Sequence, residues 1–204
     1  MTTILIEKYA IVILAAGTSA RLGSPKQLLT YKGKSFLKHS VDTALETGCR
    51  WVFVILGANI ELMRKELKDK PVFLVENAGW QEGLASSIRC GLENIESAQL
   101  LPDKVIFMLC DQPYVTASIL MRLIEKNQET GKQIVASSYK EKMGTPALFH
   151  KNLFPELMGL KGDKGAQKLI AGNLDKVATV QFPEGITDID TAEDYTLLLK
   201  KNDY

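Results

Sequence analysis

The sequence predicts an open α/β fold, a mostly parallel sheet with helices on both faces. Short, continuous apolar runs alternate with segments of helical periodicity, the pattern of β-strands joined by crossover helices. The composition, 46% hydrophobic and 24% charged, is that of an ordinary globular chain. At 204 residues the chain can build one core that buries roughly 70% of its unfolded surface. We therefore expect one domain over residues 1–204.

Each element has its own signal. Tyr9 to Ala15 is continuous, rich in Ile and Val, and reads as a buried strand. Ser35 to Thr47 has helical spacing through Phe36, Leu37, Val41 and Leu45, and stops at Gly48. Trp51 to Leu56 is a second strand, Asn59 is placed to cap a helix running to Lys68, and Val72 to Val75 makes a third strand. Leu84, Ile88, Leu92 and Ile95 share one face of a helix beginning near Gly83. Lys104 to Leu109 is an intensely apolar fourth strand, and Thr116 caps the helix that follows. Ile134 to Ser137 is a fifth strand. The last third is less regular: an extended piece at Ala147 to Phe149, short helices near Asn152 and Gly165, a strand at Val177 to Gln181, and a helix from Thr191.

Composition also excludes function classes. Lys plus Arg is 25 against Asp plus Glu 24, so the net charge of +1 draws the chain neither to nucleic acid nor to an anionic membrane. Cys49, Cys90 and Cys110 lack CxxC spacing, which fits reduced thiols better than disulfides or zinc. His39 and His150 form no cluster. The longest apolar runs fall far short of the ~20 residues that span a bilayer, and Glu7 interrupts any signal-peptide core. The expected location is cytoplasmic.

In open α/β sheets, ligands bind beyond the carboxyl ends of the strands. The first such loop, Leu14 to Lys26, carries two glycines, two hydroxyls, Arg21 and Lys26. Glycine lets a backbone approach an anion closely, Arg21 offers a fork and Lys26 a point charge. The spacing fits neither GxxxxGK[ST] nor GxGxxG, and a plain βα loop with solvated charges stands as the simpler alternative. After the fourth strand, Cys110-Asp111-Gln112-Pro113 places an acid where a lone buried carboxylate would be costly unless paired or metal-bound. A turn-capping aspartate is the plain reading, and Mg2+ ligation by hard oxygen the functional one. Near the end, Asp190 or Thr191 caps a helix whose first turn holds Glu193 and Asp194. Asp188 is a weaker candidate ligand.

Leu14-Ala15-Ala16-Gly17-x-Ser19-x-Arg21-x-Gly23-x-x-Lys26 resembles the signature of the nucleotidyltransferases, which join an NTP to a phosphorylated acceptor. The resemblance implies a Rossmann-like sheet of the nucleotide-diphospho-sugar transferase type. It places the triphosphate in this loop, with contacts from Leu14, Ala15, Ala16, Gly17 and Ser19 and charge neutralisation by Arg21 and Lys26. It also implies Mg2+ held by Asp111, with Asp190 as a second ligand that also caps the last helix.

Three further segments, Cys110 to Pro113, Asn77-x-x-Trp80-x-x-Gly83-x-x-Ser86-Ser87 and Gly144 to Phe149, resemble the molybdenum cofactor cytidylyltransferase branch. They imply a pyrimidine base near Gly83, Ser86 and Ser87, and CTP as donor. Capping by the serines and close packing at Gly91 is the structural alternative for the Asn77 to Gly91 segment. Gly162 to Ala166 resembles the same branch, and Lys164 there offers a cation to the acceptor's phosphate. The implied partners are molybdopterin or a similar phosphorylated acceptor, and a molybdoenzyme apoprotein. Guanylyl transfer, another phosphorylated acceptor, or a non-catalytic nucleotide-binding role are the alternatives.

Overall fold

The computed structural model describes residues 8–19 and 22–201. Seven strands form one sheet in the order β5-β4-β1-β6-β8-β7-β9. They are β1 (Tyr9–Leu14), β4 (Val52–Leu56), β5 (Phe73–Glu76), β6 (Lys104–Leu109), β7 (Ile134–Tyr139), β8 (Lys142–His150) and β9 (Val177–Gln181). β5, β4, β1 and β6 are parallel neighbours, and β9 is parallel to β7. β8 alone runs against its neighbours β6 and β7. Six strands therefore deliver their carboxyl ends to one edge.

The uninterrupted apolar character of β1 follows from its place in the middle. Ile11 and Ile13 face a core closed by α1 (Phe36–Glu46), α2 (Ile60–Glu66) and α4 (Ala117–Thr130). Ala10, Val12 and Leu14 face the opposite core under α3 (Leu84–Ser97), α5 (Phe154–Met158) and α6 (Gln167–Gly172). With both faces covered, polar alternation would bury unpaired groups. A Cβ on Gly91 of α3 would lie 2.9 Å from Val12 Cγ1, so glycine lets that helix rest directly on β1.

The two-residue strands β2 (Thr30–Tyr31) and β3 (Lys34–Ser35) make a hairpin that periodicity did not signal. Its turn residues, Lys32 and Gly33, both have positive φ, as a tight hairpin turn requires. Tyr31 and Phe36 pack with Ile189 and with Leu198 of α7 (Ala192–Lys200). This third core holds the carboxyl-terminal segment against the first loop, and Tyr195 adds a 2.7 Å hydrogen bond from its hydroxyl to Thr30 O.

Three local expectations change. Asn59 precedes α2 in the left-handed region, φ +59°, with no capping bond from its side chain, and the helix ends at Glu66. The extended piece at Ala147 to Phe149 belongs to the nine-residue β8. The cap of α7 is Thr191, whose hydroxyl accepts from Asp194 N–H at 3.1 Å while Asp194 accepts from Thr191 N–H at 2.8 Å. That reciprocal box satisfies the helix end and leaves Asp190 outside it.

Candidate active site

The loop after β1 is built around Gln27, a side chain the sequence did not single out. Its amide, 1% exposed, donates to Ala15 O at 2.9 Å and Gly17 O at 2.7 Å. The carbonyl of buried Ala15, just past β1, thereby gains its donor, and the Gly17 carbonyl is tied to the same amide. Ser19 adopts φ +58°, and its hydroxyl accepts from Lys26 N–H at 2.9 Å, closing the loop upon itself. Gly57 lies beneath. A Cβ there would come within 2.7 Å of both Ala16 O and Trp80 Cγ, so only glycine lets the first loop and Trp80 converge.

The result is a cleft of about 340 Å³. Leu14, Ala15, Ala16, Gly17, Lys26, Gly83, Ser87 and Asp111, all expected in the site, line it, joined by Trp80, Gln81 and Asp163, which were not. Lys26, on a short 3-10 turn after the loop, extends its ammonium between two carboxylates. It bonds Asp111 Oδ2 at the end of β6 and Asp190 Oδ1 at 3.0 Å. Burial alone would pull the Lys26 pKa down, but Asp111 and then Asp190 outweigh it and raise it above the ordinary lysine value. The ammonium is a permanent charge at working pH.

Asp190 arrives here because Ile189 N–H donates to Asp111 O at 3.2 Å while Ile189 is buried in the third core. Gln112, 2% exposed, fastens the same segment by donating to Gly185 O at 3.2 Å and Asp188 Oδ1 at 3.1 Å. Asp188 lies at the exposed edge of this group, its pKa pushed up to about 6 by desolvation and then by Asp111. The Cys110 thiol is pushed up to about 12 by burial and Asp111, so it is no nucleophile.

Asp111 Oδ1 is buried and has no hydrogen-bond partner among the described residues. A buried carboxylate oxygen without a donor is costly, and a hard cation is the natural remedy. Among the described residues no three or more His, Cys, Asp or Glu side chains cluster as a metal cage. One or two carboxylates completed by substrate phosphates is the usual Mg2+ arrangement. Asp111 and Asp190 fit that description.

Several expected contacts lie elsewhere. Arg21 falls outside the described residues. Ser86 does not line the cleft: its hydroxyl donates to Gly83 O at 2.8 Å and accepts from Asn77 Nδ2 at 2.9 Å. Ser87 also accepts from Asn77 Nδ2, at 3.1 Å, but faces the cleft. Lys164 lines not the cleft but a second cavity of about 120 Å³ behind it, with Phe107, Phe149 and Thr145. The helix that follows, α6, has six residues.

The chain is 28% identical over 199 residues to nicotine blue oxidoreductase of Paenarthrobacter nicotinovorans, covering 92% of this chain and 95% of that one. It is 27% identical over 182 residues to a probable molybdenum cofactor guanylyltransferase of Bacillus anthracis, covering 88% and 86%. Among solved structures, Rv0371c of Mycobacterium tuberculosis H37Rv superposes with a TM-score of 0.79 at 33% identity, over 95% of this chain and 98% of that one. The same protein has been solved in complex with manganese. Residues 11–178 match the model of the MobA-like NTP transferase domain, and the chain belongs to that family.

Proposed function

We propose that this chain is one catalytic domain that transfers CMP from CTP to the phosphate of a molybdopterin-type acceptor in the cytosol, releasing pyrophosphate. The observation that carries the reading is the Lys26 ammonium held between Asp111 and Asp190 at the converging ends of β1 and β6. An acceptor phosphate oxygen attacks the α-phosphorus, the bond to the β-bridging oxygen breaks, and pyrophosphate leaves with the electron pair. Lys26 neutralises charge on the triphosphate and, already fixed by two carboxylates, needs no reorganisation to do so. The Gly17 backbone, open on its α-carbon side, gives the phosphates close access. A bound Mg2+ would supply Lewis-acid withdrawal of charge from phosphate oxygens, and Asp111 Oδ1 with Asp190 would hold it. Arg21 adds a second cation, and Ser19 shapes the loop by accepting from Lys26 N–H.

CTP is the donor we favour, because the Asn77 to Ser87 segment resembles the cytidylyltransferase branch and its Gly83 and Ser87 line the cleft. The guanylyltransferase name of one relative supports GTP as a second reading. The network of lysine and carboxylates supports phosphoryl chemistry over the redox chemistry that another relative's name denotes. Lys164, at the second cavity, is the cation we assign to the acceptor's phosphate. A molybdoenzyme apoprotein is the recipient of the product; neither nucleic acid nor membrane is a partner.

The test is pyrophosphate release from each of four NTPs with purified molybdopterin, in Mg2+, in Mn2+ and in EDTA. Release with CTP that EDTA abolishes supports the reading. Faster release with GTP promotes guanylyl transfer, and no release with any NTP defeats both.

A further inference from the structure

The loop Gly162 to Gly165 brings Asp163 into the wall of the cleft. Its position is tightly determined. Ala85 N–H donates to Gly162 O at 3.0 Å, and a Cβ on Gly165 would lie 2.6 Å from Leu84 Cδ2. Just upstream, Arg89 forks Glu82 at 2.9 and 2.6 Å and reaches Leu160 O. Asp163 is thereby laid over Gly83, where φ is +112° and a Cβ would stand 2.1 Å from Asp163 Oδ1. Glycine at 83 is what admits the carboxylate to the cleft wall.

The Asp163 side chain has no hydrogen bond or ion pair with the described residues. The hydroxyls beside it are engaged: Ser86 donates to Gly83 O, and Ser87 accepts from Asn77. The cleft wall thus carries both the Lys26 cation and the Asp163 carboxylate. A phosphate is drawn to Lys26. On its cleft side the Asp163 carboxylate can accept from a neutral group that presents N–H donors.

We infer that Asp163 is a base-reading residue: its carboxylate accepts from an amino or ring N–H of the nucleobase and selects amino-bearing bases over analogues lacking that donor. The inference rests on the reading of the cleft as a nucleotide site. A 4-amino group on a pyrimidine can donate to the carboxylate, whereas a 4-oxo group turns a lone pair toward it. On a purine, N1–H and a 2-amino group together match both carboxylate oxygens. A site built to accept such a donor rejects the analogue that lacks it.

Matched pairs isolate the contact: CTP against UTP, and GTP against ITP. Affinities measured by calorimetry with Mg2+ should favour the amino-bearing member of the preferred pair by roughly ten-fold or more. Asp163→Asn should bring the CTP/UTP ratio to near one, because the amide can donate to a 4-oxo group. Asp163→Ala should flatten both ratios. Asp163 is exposed, so melting should not move and loss of fold does not confuse the result. Wild-type affinities equal within each pair, or a wild-type preference that both variants retain, overturn the inference while leaving the nucleotide reading intact. A change in acceptor KM with the ratios intact assigns Asp163 to the acceptor and also overturns it. If none of the four nucleotides binds, the nucleotide reading fails and the inference falls with it.

Discussion

The β5-β4-β1-β6 side of the sheet and the β8-β7-β9 side supply the cleft in different ways. On the first side, parallel strands end in a row, and the loops they release are pinned by buried groups. Gln27 holds the β1 loop, Gly57 admits Trp80, and Asp111 follows β6 by two residues. On the second side, β8 runs backwards, and the contributing residues ride on segments with little regular structure. Asp163 lies between α5 and α6, and Asp188 and Asp190 lie between β9 and α7. Those segments are fixed by packing on the first side, through Gly83, Asp111 O and the core of Tyr31 and Phe36. The Lys26 end of the cleft is thus preorganised by the strands, and the segments from the second side are docked onto it.

The sharpest way to break this contrast is at the carboxylate–lysine network. Lys26→Ala should lower turnover by a factor of about 10² to 10³, the usual loss when one preorganised electrostatic partner is removed. Asp111→Asn should cut turnover at least as severely, yet shift melting little, because the isostere keeps the turn. A large fall in melting temperature for Asp111→Asn, with turnover kept, would make the network structural. Next in size, Gln27→Ala should cost about 1–3 kcal/mol of stability, since Ala15 O and Gly17 O lose their donor. Urea unfolding measures it, and an unchanged midpoint would mean the loop is held by something other than Gln27.

Thr191→Ala and Asp190→Asn sharpen the comparison on the docked side. Loss of the Thr191 cap should cost about 1 kcal/mol while turnover persists. Asp190→Asn should reduce turnover and leave melting near the parent, since Asp190 is not the capping side chain. The opposite pairing, with turnover lost only in Thr191→Ala, would remove Asp190 from the chemistry.

The first side was also the legible one. Continuous apolar runs buried on two faces read as strands whatever their partners, so β1, β4 and β6 were found within a residue of their observed ends. Asp111 and Lys26, which stand out because strand-end loops bind ligands and because their motifs are long, do meet in the cleft. β8 was mostly missed for a physical reason. Its pairing with β7 jumps from Ala136↔Ala147 to Ser137↔Gly144, leaving Thr145 and Pro146 in a bulge between two paired stretches. A proline in a polar stretch argues against a strand unless a bulge absorbs it. Gln27 and Gln112 were not legible because a buried amide earns its role only from the carbonyls a folded loop points at it. Asp163 was passed over in favour of its neighbour Lys164, because nothing in sequence says which of the two faces the cleft. Ser86 illustrates the converse, a hydroxyl whose motif suggested a ligand and whose bonds are to Gly83 and Asn77.

The smallest expected effect is the pH dependence at Asp188. Its carboxyl titrates higher in the folded chain, about 6, than the ordinary aspartate value of 3.8, because of desolvation and then Asp111. A raised folded pKa means that the native state binds the proton more tightly. This contribution to stability is therefore complete below the unfolded value and is lost as pH rises through about 6. Asp188→Asn removes the titration and keeps an oxygen able to accept from Gln112. Compared in EDTA, the variant should gain on the parent between about pH 4 and 7, and the difference should be flat above that range. The side chain is exposed, so solvent screening should hold the gain below about 1 kcal/mol. Differential melting across that range decides it. A parent that gains on the variant as pH rises would mean that Gln112 and Lys26 stabilise the Asp188 carboxylate more than burial and Asp111 oppose it.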